Sequence, residues 1–263
     1  MKKKSLFQKI KNIKSFGDLI FKIKNKLNHY KRHGTFIVHD WFVTIIYGKI
    51  EPYKFFHIDE EDVKQIKDML NKSKHLKLST SKYNHSKNKL GNQMDYELCE
   101  LMNAEQTWFE IKKSEVIDNF IQKMQIKLKN HFNSPFQVVH VNAWKTKPNM
   151  KKYKDSEGNY RGPNRMHSDG YPPGHQKCII YLQPLDSSSG KIQFKDKVFE
   201  SSKVGGALIF DNNSMHQAIA GDEKDRYCFE LTIMRTLFDV DLLKHYAGTP
   251  DDKHFLQAYH AYF

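Results

Sequence analysis

Four side chains in the second half of the chain have the types and spacing for redox chemistry at a metal. His167-Ser168-Asp169 puts an imidazole and a carboxylate at i and i+2, which share one face if the segment is a strand. His216 follows 47 residues after Asp169, and Arg226 ten residues later. Two imidazoles and one carboxylate on one face of a metal leave three positions open, the arrangement that suits non-haem Fe(II). Two open positions can take a chelating co-substrate and the third O2. Gly-Asp-Glu-Lys at 221–224 reads as a turn, so Arg226 falls across from Ile219, three residues along from His216. That offset is roughly 10 Å at about 3.3 Å per residue. It suits a five-carbon diacid bound to the metal through its 2-oxo acid end, with the distal carboxylate on the guanidinium.

His-x-Asp alone says little. The chain has 14 histidines, and His57-Ile58-Asp59 is a second copy. There Asp59 precedes Glu60, Glu61 and Asp62, which suits the N-cap and first turn of a helix running to about residue 75. His140 and His175 also fall near the proposed centre, where packing or surface roles suit them better than ligation.

The elements that must position these groups are short strands. Phe136–Lys145 comes first, then stretches near 165–169, 176–183, 191–199, 206–218 and 226–235, with His216 placed in a strand Ala207–Ala218. Along 226–232, Arg226, Cys228, Glu230 and Thr232 share one face and Tyr227, Phe229 and Leu231 the other. His140, Asn142 and Trp144 alternate with Val139, Val141 and Ala143, and Lys177, Ile179 and Tyr181 with Cys178 and Ile180. One set of faces is apolar enough to pack on helices. The other collects polar groups, as a solvent-facing sheet or a functional interior would; the ligand pattern favours the interior. Glu230, facing inward, needs a partner or a proton.

The order His-x-Asp, His, Arg resembles the Fe(II)/2-oxoglutarate-dependent dioxygenases. The run Lys177-Cys-Ile-Ile-Tyr-Leu-Gln-Pro-Leu-Asp-Ser-Ser-Ser-Gly190 looks like their phytanoyl-CoA dioxygenase branch. Gly206-Ala-Leu-Ile-Phe-Asp-Asn-Asn-Ser-Met-His216 is similar to the strand that delivers the distal histidine. The resemblance spans about residues 136–236. It implies an α+β, mainly β fold, with a double-stranded β-helix (jelly-roll, cupin-like) core and N-terminal helices packed on it. It implies His167, Asp169 and His216 as iron ligands and Arg226 as the partner of 2-oxoglutarate. Asn142, Trp144 and Tyr181 would complete the co-substrate pocket, and Arg161, Arg165 and Tyr171 would contact substrate. The expected reaction hydroxylates an unactivated C–H of a small or anionic organic substrate, consuming O2 and 2-oxoglutarate and releasing succinate and CO2. Halogenating relatives lack the carboxylate ligand; Asp169 is present, which favours hydroxylation. A metal- or ligand-binding cupin-like protein, and an oxygenase acting on nucleic acid or protein, stay open as alternatives.

Charge is concentrated at one end. Residues 1–33 carry eleven Lys/Arg against Asp18, so +10 of the formal +13 lies there and +3 is left for the other 230 residues. That near-neutral body argues against a nucleic-acid partner. Leu6, Ile10, Ile13, Phe16, Ile20, Ile23 and Leu27 recur at helical spacing among the lysines. This suits a helix docked on the domain or lying on an anionic membrane surface. Residues 34–135 read as a mixed region packed on the core, with strands in the β-branched and aromatic stretch 35–50, a polar loop at 78–94 and a helix at 114–131. Residues 237–263 read as a partly helical end piece. The three cysteines, Cys99, Cys178 and Cys228, are widely spaced, and no stretch reads as a secretory signal or a transmembrane helix. A cytoplasmic protein is the expectation, with peripheral membrane contact through 1–33 as the alternative to a docked helix.

Overall fold

Two antiparallel sheets face each other, and the inward and outward rows read from the sequence fall on the two sides of the larger one. The computed structural model describes residues 34, 36–76, 106–150, 153–154, 160–161, 166–168 and 173–238. The basic segment 1–33, the stretch 78–94 and the residues from 239 onward lie outside this part. Seven strands form the larger sheet: β1 (Tyr53–His57), β2 (His75–Leu76), β3 (Gln106–Phe109), β4 (Phe136–Thr146), β7 (His175–Tyr181), β10 (Gly206–Asp211) and β12 (Arg226–Arg235). Their order is β1-β10-β7-β12-β4-β3-β2. The smaller sheet runs β11-β8-β9, from β11 (His216–Ala220), β8 (Gly190–Phe194) and β9 (Val198–Phe199). A two-stranded ribbon joins β5 (Tyr153–Lys154) to β6 (Tyr160–Arg161). This mainly antiparallel β architecture with a few helices is the expected jelly-roll class.

The outward row, including Val141, Ala143, Cys178, Ile180, Ala207, Ile209, Phe229, Leu231 and Ile233, packs beneath two helices in one core cluster. The first, α2 (Glu60–Lys72), follows Asp59 as expected, although it ends at Lys72 and Asp59 makes no side-chain cap bond. The second, α3 (Glu115–Phe132), starts where Ser114 Oγ accepts from Ile117 N at 3.5 Å and closes on Asn133 at φ 53°. Lys123 of α3 pairs with the buried Asp62 of α2. The inward row packs against the smaller sheet: Ile179, Tyr181, Leu208, Phe210 and Cys228 meet Ile192, Phe194 and Phe199. Both sides of the central strands are therefore covered, which is why β7 is buried along its whole length.

Two expectations are corrected. The stretch read as strands at 35–50 is a helix, α1 (36–47). β-branched and aromatic residues favour strands only weakly, and a docking site for one helical face outweighs that preference. Phe36 meets His175 edge-on at 5.6 Å, Val43 is fully buried, and Tyr47 Oη donates to Leu237 O at 2.9 Å. The proposed single strand 207–218 is two strands, β10 and β11, lying in different sheets. Between them Asn213 N donates to Asp211 Oδ1 at 2.8 Å, and Ser214 N to Asp211 O at 2.8 Å. This Asp-Asn-Asn-Ser turn carries the chain from the large sheet to the small one. Near 165–169 the described residues form an isolated bridge at His167. Among the described residues no helix is long and apolar enough to cross a membrane.

Candidate functional site

The turn after β10 delivers His216 to the first position of β11, and there it meets His167. The two residues exchange backbone hydrogen bonds in both directions at 2.8 Å. Their rings lie 4.6 Å apart, inclined at 43°. His216 Nδ1 is 2.9 Å from Ser214 O. A carbonyl only accepts, so Nδ1 carries the proton and Nε2 presents its lone pair, the tautomer a metal requires. Phe210 and Phe194 pack on the same ring at 4.9 and 5.9 Å and hold its orientation. A neutral imidazole presented in this way is chemically suited to a divalent transition metal. Asp169 lies outside the described residues, and among those described no three His, Cys, Asp or Glu side chains form a metal cluster. The decoy behaves as a decoy: His57 Nε2 bonds Ser201 Oγ at 2.9 Å on the exposed end of β1, and Asp59 opens α2.

Arg226 opens β12 opposite Thr146 of β4, and it is 5% exposed. Its Nη1 donates to Ile219 O at 3.2 Å and Lys191 O at 3.3 Å, while its Nε has no partner. The expected offset from His216 to Ile219 is therefore realised by a guanidinium reaching across to β11, although β11 and β12 are not a hairpin: β11 pairs with β8, and β12 with β4 and β7. The room for the guanidinium depends on Gly190, at φ +101°. A Cβ there would stand 2.5 Å from Ile219 O and 3.0 Å from Arg226 Nη1. A buried guanidinium whose described partners are two carbonyls and the Cys228 thiol can still take a carboxylate through its open Nε.

Between the histidines and the arginine runs the polar inner row. Cys228 sits in register with Trp144 on β4 and Tyr181 on β7; Glu230 with Asn142 and Ile179; Thr232 with His140 and Lys177. Tyr181 is buried, and burial holds its phenol far above its ordinary range. Burial likewise pushes the Cys228 thiol up to about 12, opposed in part by Arg226. Both are neutral donors at neutral pH. Asn142 Oδ1 is buried without a partner. Trp144 is half-buried and packs on Trp108 at 5.3 Å, the two rings tilted by 37°. The partner Glu230 needs is Lys177, whose Nζ lies 3.1 Å from its Oε2, and Thr232 Oγ1 donates to Glu230 Oε1 at 3.3 Å. His175 is buried beside Phe36, with Nδ1 3.3 Å from Pro173 O, which is a packing role.

Of the remaining expected site residues, Arg161 pairs its backbone with Tyr153 in the small ribbon. Its side chain, and all of Arg165 and Tyr171, lie outside the described part. Sequence reasoning missed Lys177 as an ion partner, the Phe194–Phe210 wall and the Gly190 cradle. The glycine closing Ser-Ser-Ser-Gly190 was a usable signal for the cradle. The other two depend on which strands are neighbours.

No family model matches this chain, and no curated protein matches it. Similar folds occur among solved structures. A viral collagen prolyl hydroxylase of Paramecium bursaria Chlorella virus-1, solved as a 2-oxoglutarate complex, is 14% identical, covering 71% of this chain and 97% of its own at a TM-score of 0.42. HygX from Streptomyces hygroscopicus, solved with nickel and 2-oxoglutarate, is 10% identical over 74% of this chain and 87% of its own, at a TM-score of 0.47. A Pseudomonas putida prolyl-4-hydroxylase is 8% identical over 70% of this chain and 92% of its own, at a TM-score of 0.41.

Proposed function

We propose that the protein is an Fe(II)- and 2-oxoglutarate-dependent oxygenase that hydroxylates an unactivated C–H of a small or anionic organic substrate. The observation that carries this reading is Arg226, a buried guanidinium with an unpartnered Nε, tied by Ile219 to the strand that starts at His216. An arginine is costly to bury unless a carboxylate meets it, and a dicarboxylate reaching from the histidine pair would do so.

In this reading His167, Asp169 and His216 hold the iron. Iron held there would supply the oxidising chemistry, with O2 and 2-oxoglutarate consumed and succinate and CO2 released as the C–H is hydroxylated. Ser214 O fixes the His216 tautomer, while Phe194 and Phe210 exclude water behind the ring. Arg226 orients the distal carboxylate, and the neutral Tyr181 phenol and Asn142 line the way to it, with Trp144 closing the β4 side. Arg161, Arg165 and Tyr171 are the substrate contacts in this reading. Within the superfamily, the runs 177–190 and 206–216 support the phytanoyl-CoA dioxygenase-like branch. A cytoplasmic location goes with this reading.

The test is an anaerobic titration of the Fe(II) protein with 2-oxoglutarate, following the charge-transfer absorbance. Arg226→Ala should weaken 2-oxoglutarate binding roughly ten- to a hundredfold, since a charge-assisted hydrogen bond contributes about 1.5–3 kcal/mol. Arg226→Lys should fall between, keeping the charge and losing the fork. Absence of the band in wild type, or an Arg226→Ala curve superimposing on it, overturns the assignment.

A further inference from the structure

We propose that the outward face of α1 is a membrane-docking surface for anionic phospholipid bilayers. α1 is apolar on two sides. Phe36, Val43 and Tyr47 face the body of the protein, and Asp40 lies against Gly174, where a Cβ would come within 3.0 Å of its Oδ1. Val38, Trp41, Phe42, Ile45 and Ile46 recur at the same helical spacing on the other side, where they are 53%, 59%, 46%, 59% and 60% exposed. Trp41 and Phe42 pack on each other at 5.0 Å, so the patch is continuous and has an aromatic centre. An apolar helix face left uncovered by the body of the protein is a contiguous exposed patch, and such patches mark interaction sites.

The sequence immediately before α1 identifies the occupant. Residues 1–33 carry +10, and their apolar residues Leu6 to Leu27 keep helical spacing among the lysines. As a helix that row would run about 32 Å, whereas Val38 to Ile46 spans about 12 Å. Laid on α1, it would leave most of its own apolar row uncovered. An anionic bilayer accommodates both rows at once: it takes the aromatic and aliphatic side chains at the headgroup boundary and attracts the lysines. Association of this kind is peripheral, in keeping with the described helices, none of which can cross a bilayer.

The experiment is co-sedimentation of the full chain with phosphatidylcholine vesicles, with and without phosphatidylglycerol, at low and high salt. Wild type should sediment with the anionic vesicles and be released by salt or by omission of the anionic lipid. The double variant Trp41→Glu/Ile45→Glu should lose roughly tenfold or more in vesicle partitioning, with its melting temperature and gel-filtration volume unchanged. No sedimentation of wild type, or equal sedimentation of the variant, overturns the proposal. So does a melting temperature several degrees lower in the variant, because the face is then covered by the chain itself. A wild-type dimer that the variant dissolves assigns the face to a second copy and overturns it as well.

Discussion

Lys177 Nζ lies 3.1 Å from Glu230 Oε2 on the inner face of the large sheet, with 11% and 3% of the two side chains exposed. The residues are diagonal neighbours across β7 and β12, since Lys177 is in register with Thr232 and Ile179 with Glu230. The pair sits beside Phe210, which is in register with Lys177 and packs on His216. Charge on this part of the inner face is thus balanced beside Phe210, and in the described inner row Arg226 is a second cation, with its Nε open to an incoming carboxylate.

Breaking that pair from one side should be costlier than removing it. Lys177→Met leaves the Glu230 carboxylate without its counter-charge and should cost about 3–5 kcal/mol in urea unfolding. Adding Glu230→Leu should recover most of the loss. A double variant no more stable than Lys177→Met would show that the pair contributes nothing specific.

Loss of any one proposed ligand should abolish Fe(II)-dependent turnover while the fold persists, because each is one of three. His167→Ala, Asp169→Ala and His216→Ala should each lower Fe(II) affinity by at least tenfold, measured by equilibrium dialysis with circular dichroism as the folding control. His57→Ala should bind iron as wild type does, since its ring is engaged by Ser201 at the exposed end of β1. A folded Asp169→Ala protein with undiminished succinate release would rule out the triad.

Gly190→Ala should damage the arginine site without touching a proposed ligand. The added methyl meets Ile219 O and Arg226 Nη1 at a backbone angle of φ +101°, so strain of about 1–3 kcal/mol is expected. The readout is a split effect: KM for 2-oxoglutarate should rise several-fold, with Fe(II) affinity held. An unchanged KM would mean that the cradle is not what places Arg226.

Acid should destabilise the fold partly through His131, near the end of α3. Burial holds its imidazole down at about 4, helped by the nearby Lys54. Its folded-state value lies below the ordinary 6.5, so the unfolded chain binds the proton more readily. Its contribution to stability is therefore complete above about pH 6.5 and drains away as pH falls toward about 4. A His131→Gln variant should show a flatter stability profile between those limits in chemical denaturation. An identical slope in both proteins would mean that other groups govern acid unfolding.

Side-chain alternation is a local property of extended backbone, so the sequence by itself determined which residues share a face. The inward row of Asn142, Trp144, Tyr181, Arg226 and Glu230 and the outward row of Val141, Ile180, Phe229 and Leu231 stand in the structure as their spacing required. The helices after Asp59 and from about residue 114 were equally local, because first-turn acids and an apolar period involve only nearby residues. Strand order was not local. That Glu230 would find Lys177, that β10 would end at Asp211 and hand His216 to another sheet, and that Gly190 would shelter Arg226 all depend on contacts between residues distant in sequence. The stretch 36–47 shows the same division. Its composition favours a strand, but its apolar residues also recur at helical spacing, and only the tertiary structure, by offering a seat for Phe36, Val43 and Tyr47, selected the helix. Packing energy outweighed intrinsic preference there, and that choice turned Trp41 and Ile45 toward the outside.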